Sequence, residues 1–317
     1  MSTESTTDHP PSRLQGVLLG HLTPGTPDWD AARAGLTITA TEIAAVVGLS
    51  PWMSRFTLWH KKAGLRAAPF EMTPAIEWGN RLEDAVAQKW QDERTGFIAA
   101  PAGTWKHRER EWQRATPDRL IYPQPADEFD LPGQAVGLLE VKTSPMGDEW
   151  GPDGAEDGVP IWYRCQVMWQ MDVLGVRRTD FAVLISGHDY REYTVEYDEG
   201  EAKTLRDAAE QFLNEVRDGA RPPIDSADDT YKTIRVQPDG FDDIDVEIAA
   251  EAAARYENAQ AEAKAAAAEL TAAKSVVLDL IGTGRRAVCD GRRVAYRIPK
   301  PDGTTKSLNP YKQKEGA

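Results

Sequence analysis

The apolar residues of this chain change period several times, and each change marks a predicted helix or strand. From residue 74 to 95 the spacing is helical and Gly96 follows, which predicts a helix that ends there. The apolar positions that carry this spacing are Ile76, Leu82, Val86 and Trp90. Shorter, alternating segments follow and predict strands. The elements predicted after Gly96 are strands over 97–105, 112–122 and 136–143, a helix over 160–174, strands over 181–186 and 192–197, and a helix over 201–217.

The pattern also divides the chain into three parts. Residues 1–25 are polar and irregular, which predicts a flexible leader. A break at Arg221-Pro222-Pro223 predicts a boundary after the last helix. We therefore predict a folded domain over 26–223 and a separate C-terminal segment over 224–317.

The C-terminal segment differs in composition from the rest of the chain. Residues 243–281 are rich in Ala and Glu, which predicts a long helix or a helical hairpin, and 242–281 contain nine acidic and three basic side chains. Residues 285–299 predict a β-hairpin that turns at Asp290-Gly291. From Arg285 onward nine basic residues face three acidic ones, so this end suits contact with DNA or with a partner, while the helix suits assembly.

Composition and charge limit the class of protein. Hydrophobic residues make up 41% of the 317 residues, which supports a packed core, and the formal net charge of −14 disfavours a protein that coats nucleic acid. An enzyme with an enclosed site on DNA stays compatible with that charge. The two cysteines, Cys165 and Cys289, have no paired spacing, and neither a signal peptide nor a membrane-spanning run is visible. These features predict a soluble protein of the cytoplasm.

The strongest chemical signal is an acidic residue followed by a strand that ends in Glu-x-Lys. Side chains alternate faces along a strand, so Glu140 and Lys142 point the same way while Val141 points into the core. If this strand pairs with the one beside Thr116-Pro117-Asp118, then Asp118 lies close to Glu140 and Lys142. Two carboxylates form a hard-oxygen site for Mg²⁺, and an ammonium beside them holds or activates a water. This is the chemistry of a metal-dependent phosphodiesterase, although Glu-x-Lys alone is common on surface strands.

Three further sets of polar residues fit the same chemistry. Glu83, on the helix over 74–95, adds a third carboxylate, or else is a solvated glutamate. The helix over 160–174 presents Gln residues on one face that orient a water or contact a phosphate, or else fill an interface. A guanidinium with hydroxyls at a helix N-terminus forms a phosphate pocket, or else a capping box with an exposed arginine. The residues of the last two sets are Tyr163, Gln166 and Gln170, and Arg33, Thr39 and Thr41.

Together these motifs resemble the YqaJ-type viral recombinases, the lambda-exonuclease branch of the PD-(D/E)XK nucleases. The resemblance spans roughly Trp29 to Arg217 and rests on five motifs in order. They are Trp29-x-x-x-Arg33 with Ile38-Thr39-Ala40-Thr41-Glu42, Trp78-Gly79-x-x-x-Glu83, Thr116-Pro117-Asp118, Leu139-Glu140-Val141-Lys142, and Tyr163-x-x-Gln166.

The resemblance implies an α/β fold of the PD-(D/E)XK restriction-endonuclease type, with a central mixed sheet flanked by helices and an α-helical plus β-hairpin C-terminal extension. It implies a Mg²⁺-dependent exonuclease, with Mn²⁺ as a substitute, that acts 5′→3′ on double-stranded DNA ends and leaves 3′ single-stranded overhangs. The implied partners are a single-strand annealing protein in phage recombination and further copies in a ring-shaped trimer. The implied location is the cytoplasm of a bacterium or of a phage-infected host.

The resemblance also implies roles for individual residues. Metal ligands are Asp118, Glu140 and the Val141 carbonyl, with Glu83 as the additional carboxylate. Lys142 acts on the nucleophilic water and Gln166 positions it, with Tyr163 as a further candidate. The 5′-phosphate pocket is formed by Arg33, Thr39 and Thr41, where Thr41 replaces a serine frequent in the family.

The sequence departs from the family at two places and leaves other functions open. An acidic residue expected shortly before Pro117-Asp118 is not evident, since that region reads Lys106-His107-Arg108-Glu109, and the acidic segment 148–158 is unusual. The alternatives are an endonuclease of the same fold, a non-catalytic module that binds DNA or a partner, and a structural assembly protein built on the Ala-rich helix.

Overall fold

The computed structural model describes residues 14–124 and 135–311. The chain forms two compact units that divide between Gly240 and Phe241. In the described part of the chain, no helix is long and apolar enough to cross a membrane. Residues 1–13 of the predicted leader lie outside the described residues.

The first unit mixes helices and strands throughout its length. Its elements, in chain order, are β1 (Val17–Gly20), α1 (Pro27–Arg33), β2 (Ile38–Thr39), α2 (Ile43–Val46), α3 (Arg55–Lys62), α4 (Pro74–Asp92), β3 (Phe97–Pro101), β4 (Thr104–Lys106), β5 (Gln113–Ala115), β6 (Arg119–Pro123), β7 (Gly137–Ser144), α5 (Ile161–Leu174), β8 (Arg178–Ile185), β9 (Asp189–Glu196), α6 (Glu199–Arg217) and α7 (Asp228–Arg235).

A five-stranded sheet forms the centre of this unit, in the order β3-β6-β7-β8-β9. Strands β7 and β8 are parallel and the other neighbours are antiparallel, so the sheet is mixed. Strand β6 pairs with β7 in a register that places Arg119 opposite Leu139. A second, four-stranded sheet has the order β1-β4-β5-β2. The α/β prediction is therefore confirmed.

Helices cover both faces of the central sheet because β7 is apolar on both sides. Leu139 and Val141 pack with Val86 and Trp90 of α4 in one buried cluster. The alternate residue Leu138 belongs to a second, larger cluster that contains the buried side chains of α5 and α6. A strand buried on both faces has no solvent side, so any charged residue within it needs a partner inside the protein.

Two predicted strands are each divided in the structure. The segment 97–105 forms β3 and β4, and Gly103 between them has a φ of +75°, which a side chain would strain. The segment 112–122 forms β5 and β6, separated at Thr116-Pro117-Asp118. The chain changes sheet at both points, so Asp118 precedes β6 rather than closing a strand. Part of the predicted leader, Val17–Gly20, is strand β1 and pairs with β4.

The first unit extends beyond the predicted boundary at residue 223. Helix α7 packs against α3, where the Ser54 N–H donates to Asp229 Oδ2 over 3.0 Å. The hydroxyl groups of Thr57 and Thr233 are 2.8 Å apart, and both residues are fully buried. The structure therefore places the boundary after Gly240, because α7 carries the second half of a buried polar contact that α3 cannot satisfy alone.

The acidic segment 148–158, predicted as a loop, is irregular but bonded to the edge strand β9. The Gly154 N–H donates to the Glu192 carbonyl over 3.0 Å, and the Glu192 N–H donates to Asp153 Oδ1 over 2.8 Å. A side chain at Gly158 would place its Cβ 2.6 Å from the Tyr193 ring, so the close approach requires glycine. The segment therefore covers the edge of the central sheet.

The second unit is a long helix followed by a three-stranded antiparallel sheet. Its elements are α8 (Ala250–Ile281), β10 (Arg286–Cys289), β11 (Arg292–Pro299) and β12 (Thr305–Pro310). Residues 250–281 form one helix, not a helical hairpin. The hairpin turn lies at Asp290-Gly291 as predicted, with positive φ angles of 48° and 76° that suit a two-residue turn. Strand β12, which the sequence pattern did not predict, completes the sheet.

Candidate active site

Three predicted site residues converge where β6 begins beside β7. The Val141 N–H donates to Asp118 Oδ2 over 2.7 Å, which fixes the Asp118 carboxylate against the middle of β7. Lys142 Nζ donates to Glu140 Oε1 on the same face of β7. The antiparallel pairing of β6 and β7 produces this arrangement. Arg119 pairs with Leu139, so Asp118, which precedes Arg119, lies beside Glu140, which follows Leu139. The predicted approach of Asp118, Glu140 and Lys142 is thus present in the structure.

Glu140 lies at the centre of a buried hydrogen-bond network. Its side chain is 1% exposed and accepts hydrogen bonds from Lys142, from Gln166 Nε2 and, over 2.9 Å, from Gln170 Nε2. The two glutamines are four residues apart and so lie on one face of α5. Helix α5 therefore provides the donors that a carboxylate on a doubly covered strand needs.

The ionisation of Asp118 and Lys142 reflects this crowding of charge. Burial, and then the nearby Glu140 carboxylate, raise the pKa of Asp118 to about 8, against the opposing effect of Lys142. Burial alone lowers the pKa of Lys142, but Glu140 and Asp118 outweigh it and raise that pKa above its ordinary value. The surroundings of Lys142 therefore favour its charged ammonium form.

The donor set at this point fits a hard divalent cation. A carboxylate whose pKa is raised by a second carboxylate loses that penalty when a cation lies between them. Asp118, Glu140 and the Val141 carbonyl supply oxygen atoms, the ligand type that Mg²⁺ takes while it keeps several waters. Among the described residues no group of three or more His, Cys, Asp or Glu side chains forms a metal cluster. The candidate site therefore has two carboxylates.

Glu83 lies beside this pair but is bound elsewhere. Its Oε1 accepts a hydrogen bond from Arg119 Nη1 over 2.7 Å, and Arg119 also contacts Asp84. The Glu83 carboxylate still contributes to the raised pKa of Asp118, so it is within electrostatic reach. Helix α4 comes close to β7 because residue 79 is glycine, since a Cβ there would lie 3.2 Å from Thr143 Oγ1. Glu83 as a metal ligand remains a prediction.

These residues line one large cavity of about 1610 Å³ in the first unit. Asp118, Lys142 and Gln166 lie on its lining together with Thr41 and Glu83. Val141 is also part of the cavity lining, whereas Glu140 is not. The cavity therefore brings the carboxylate site and one member of the predicted phosphate pocket to a shared space.

The residues predicted to form the phosphate pocket lie together around Arg33. Its Nη2 donates to Thr41 Oγ1 over 3.2 Å and is 3.5 Å from Thr39 Oγ1, while the guanidinium stacks on Trp29 at 4.1 Å. Burial lowers the pKa of Arg33, although a guanidinium stays charged in proteins. Stacking and hydroxyl contacts fix the cation in one orientation, as bidentate binding of an anion requires.

The capping box predicted from Thr39 and Glu42 is half formed. Glu42 Oε2 accepts from the Thr39 N–H and from the Thr39 hydroxyl, both over 2.9 Å. The Thr39 hydroxyl therefore donates to Glu42 instead of accepting from the helix. Glu42 also pairs with Lys62 over 2.9 Å, so its charge is compensated beneath the pocket.

Tyr163 is placed beside the lysine by an aromatic cluster. Lys142 Nζ lies 5.0 Å from the centre of the Tyr163 ring, and that ring stacks on Trp150 at 5.5 Å. Trp52, which is 62% exposed, packs against the same tyrosine at 5.6 Å. The ring therefore gives the ammonium a second favourable contact besides Glu140.

Gln170, which the sequence places on one helix face with Gln166, bonds to Glu140 as directly as Gln166 does. Three other residues of the site are absent from the set predicted by sequence. The partner of Glu83, Arg119, follows Asp118 immediately, but only the sheet register shows that it reaches α4. Lys232 and Arg235 of α7 also line the cavity, and no sequence motif marks them.

The fold and the site define a class of protein, a mixed α/β protein with a carboxylate and lysine centre. Residues 28–182 match the family model of the YqaJ-like viral recombinase domain. Over 195 residues the chain is 27% identical to the uncharacterized protein YqaJ of Bacillus subtilis (strain 168), a match that covers 60% of this chain and 56% of the relative. Residues 28–182 are thus similar to the YqaJ-like viral recombinase domain, and the resemblance is confirmed.

Solved structures of exonucleases are also similar to this chain. One is LHK-Exo in complex with dAMP, with 21% identity, a TM-score of 0.46, and coverage of 61% of this chain and 94% of that one. Another is the alkaline exonuclease LHK-Exo from Laribacter hongkongensis, with 20% identity, a TM-score of 0.44 and the same coverage.

Proposed function

We propose that this protein is a metal-dependent deoxyribonuclease that degrades duplex DNA from its ends in the 5′→3′ direction and leaves 3′ single-stranded overhangs. The observation that carries the proposal is the grouping of Asp118 and Lys142 on the wall of one cavity, with the buried Glu140 bonded to Lys142. The match of residues 28–182 to the YqaJ-like viral recombinase domain supports a nuclease. The direction of degradation rests on the Arg33 pocket.

In this proposal each residue of the carboxylate and lysine centre has a defined role. Asp118, Glu140 and the Val141 carbonyl would hold Mg²⁺, or Mn²⁺ in its place. When bound, the metal supplies a Lewis acid and a water of lowered pKa. Lys142 orients the attacking water and offsets negative charge on the phosphate oxygens. Gln166 and Gln170 orient the Glu140 carboxylate through their amide donors, so they are positioning residues.

Arg33 gives a test of end recognition. Replacing Arg33 with Gln is expected to reduce the preference for 5′-phosphorylated over 5′-hydroxyl ends about tenfold, because a charge-assisted contact to the phosphate is lost. The preference is measured as the ratio of kcat/KM for the two substrates. Arg81→Gln removes an exposed arginine bound to Glu77 and should keep the ratio. An unchanged ratio in Arg33→Gln would remove this residue from the end pocket.

Helix α7, which lies outside the residues matched by the family model, contributes two cations to the wall of the cavity. No ion pair among the described residues includes Lys232, and Arg235 lies 5.7 Å from the Tyr231 ring. Aspartates begin the helix, but Asp229 is occupied by the Ser54 N–H. Unpaired cations on a cavity wall would attract the phosphates of a bound DNA strand. This attraction would help a protein of negative net charge to bind DNA.

Removing both cations should weaken substrate binding more than chemistry. For Lys232→Gln with Arg235→Gln we expect KM for linear duplex DNA to rise roughly fivefold to tenfold while kcat changes little. Steady-state kinetics at several salt concentrations measures this. Lys203→Gln, on an exposed i,i+4 pair of α6, is the control for a lost surface charge. A fall in kcat with unchanged KM would contradict a binding role.

Digestion of three DNA substrates tests the proposed function as a whole. Linear duplex DNA with and without 5′-phosphates and covalently closed circles are incubated with Mg²⁺ or with EDTA. Metal-dependent loss of the 5′-phosphorylated strand, with intact circles, is expected. Cleaved circles would favour the alternative endonuclease, and the absence of cleavage with either Mg²⁺ or Mn²⁺ would favour a non-catalytic binding module.

The assembly of the protein belongs to the same proposal. A ring-shaped trimer around DNA would keep the enzyme on its substrate, and a single-strand annealing protein would take up the overhang. Light scattering coupled to size exclusion tests the trimer, and co-purification with an annealing protein in the presence of single-stranded DNA tests the partner.

A further inference from the structure

The sheet of the second unit is the most basic part of a strongly acidic chain. Between residues 285 and 311 there are seven Lys and Arg residues and two Asp residues, a net charge of +5 in a protein of net charge −14. The basic residues are Arg285, Arg286, Arg292, Arg293, Arg297, Lys300 and Lys306. All of them except Arg297 are exposed. The positive charge is therefore concentrated on one small sheet and is open to solvent.

No ion pair among the described residues includes any of these cations. Every ion pair found among the described residues lies in the first unit. The two acidic residues of the sheet lie in turns, where Asp302 accepts from the backbone and hydroxyl of Thr304. In a chain with this excess of carboxylates, exposed cations usually have an acidic side chain nearby. The concentration of unpaired cations on one sheet therefore indicates a partner of negative charge.

Aromatic residues hold part of the basic surface in a fixed arrangement. Arg286 Nε donates to the Tyr311 hydroxyl over 3.2 Å, and the Arg293 guanidinium lies 5.6 Å from the same ring. Tyr296 meets Tyr311 edge to face at 5.1 Å. One tyrosine thus brings together arginines from β10 and β11. Five of the seven cations are arginine, the residue with the planar fork that matches phosphate oxygens.

We propose that the sheet formed by β10, β11 and β12 binds the phosphate backbone of duplex DNA as a second contact, separate from the active-site cavity. The occupant is identified by charge complementarity and by the arginine and tyrosine composition, which suit backbone contacts without base reading. The proposal rests on DNA as the proposed substrate. It assigns a binding function to a segment beyond the family match and explains how a chain of net charge −14 retains DNA.

The test is DNA binding by the full chain in EDTA, where no metal-dependent cleavage occurs. Fluorescence anisotropy with a labelled duplex is measured across a range of salt concentrations for the wild type and for Arg292→Gln with Arg293→Gln. Each lost phosphate contact lowers the slope of log K against log salt by about 0.9, so a decrease of about 1.8 and a roughly tenfold weaker affinity are expected. A second variant, Lys300→Gln with Lys306→Gln, should act in the same direction.

The control matches the change in net charge. Lys203→Gln with Arg217→Gln removes two exposed cations of α6 in the first unit and should leave affinity and slope at wild-type values. If both sheet variants bind like this control while retaining their far-UV circular dichroism, the proposal is overturned. Polyglutamate that competes with DNA at equal charge concentration, and loses this ability in the sheet variants, would also overturn it in favour of an acidic protein partner.

The outcome is distinguishable from failure of the proposed nuclease function. If linear DNA is not degraded but the sheet variants lose affinity, the second DNA site stands and the exonuclease proposal falls. If linear DNA is degraded and the sheet variants bind normally, the reverse holds. At saturating DNA the sheet variants should keep wild-type kcat, because the catalytic residues lie in the first unit.

Discussion

Replacing Lys142 with Ala is expected to lower kcat on 5′-phosphorylated linear duplex DNA about 10²–10³-fold, the range for loss of one preorganised donor at a developing charge. The ammonium contacts both Glu140 and the Tyr163 ring, and its pKa is raised, so it would present a fixed positive charge to the reacting phosphate. KM should change far less, because the proposed binding contacts to DNA come from other residues. Steady-state rates with saturating Mg²⁺ measure both constants.

A matched control separates chemistry from general loss of charge. Lys203→Ala removes a lysine that also pairs with a carboxylate, Asp207, but on the exposed face of α6. It should keep wild-type turnover. Lys142→Ala also leaves Glu140 with two amide donors, so circular dichroism should show an intact fold. Turnover of Lys142→Ala within threefold of the wild type would refute its role at the reacting phosphate.

The sequence was sufficient to predict the centre of the site because that information is local. Alternation along β7 fixes Glu140 and Lys142 on one face, and apolar residues on both sides show that the strand is buried. The four-residue spacing on α5 likewise places Gln166 and Gln170 together. The position of Asp118 needed one further assumption, that its strand pairs with β7, and the observed register of Arg119 with Leu139 satisfies it.

The remaining features depend on contacts between segments that are distant in sequence. Val17–Gly20 becomes a strand only because β4 offers it a free edge. Helix α7 joins the first unit through Ser54 and Thr57, which are more than 170 residues away. Glu83 was predicted to face the metal, but Arg119 competes for its carboxylate and the helix pattern cannot show that competitor. Local periodicity predicts elements and faces, whereas pairing partners are decided by packing.

The raised pKa of Asp118 makes folding stability depend on pH when metal is absent. With a pKa of about 8 in the folded protein and about 3.9 when unfolded, the folded state holds a proton that the unfolded state has released between those values. Stability therefore falls as pH rises through this window, by at most about 1.4 kcal/mol per pH unit from this group. Above pH 8 the effect is complete, and the two carboxylates of the centre are both charged.

Replacing Asp118 with Asn removes this dependence and the response to metal together. In EDTA the variant should melt close to the wild type near pH 5 and clearly above it at pH 8, because its amide stays neutral. Saturating Mg²⁺ should raise the melting temperature of the wild type most at pH 8 and leave Asp118→Asn unchanged, since the cation offsets the repulsion between Asp118 and Glu140. Differential scanning fluorimetry at pH 5, 6.5 and 8 measures both effects.

The exposed carboxylate of Asp207 supplies the comparison. Asp207→Asn should keep the wild-type response to Mg²⁺, because its partner Lys203 lies on α6 away from the centre. If the melting temperatures of Asp118→Asn and the wild type differ by the same amount from pH 5 to pH 8, the neighbours of Asp118 do not raise its pKa. A Mg²⁺ response retained by Asp118→Asn would place the metal elsewhere. If Asp118→Asn loses both the pH dependence and the response to Mg²⁺, the cation is assigned to the Asp118–Glu140 pair and not to Glu83, which pairs with Arg119.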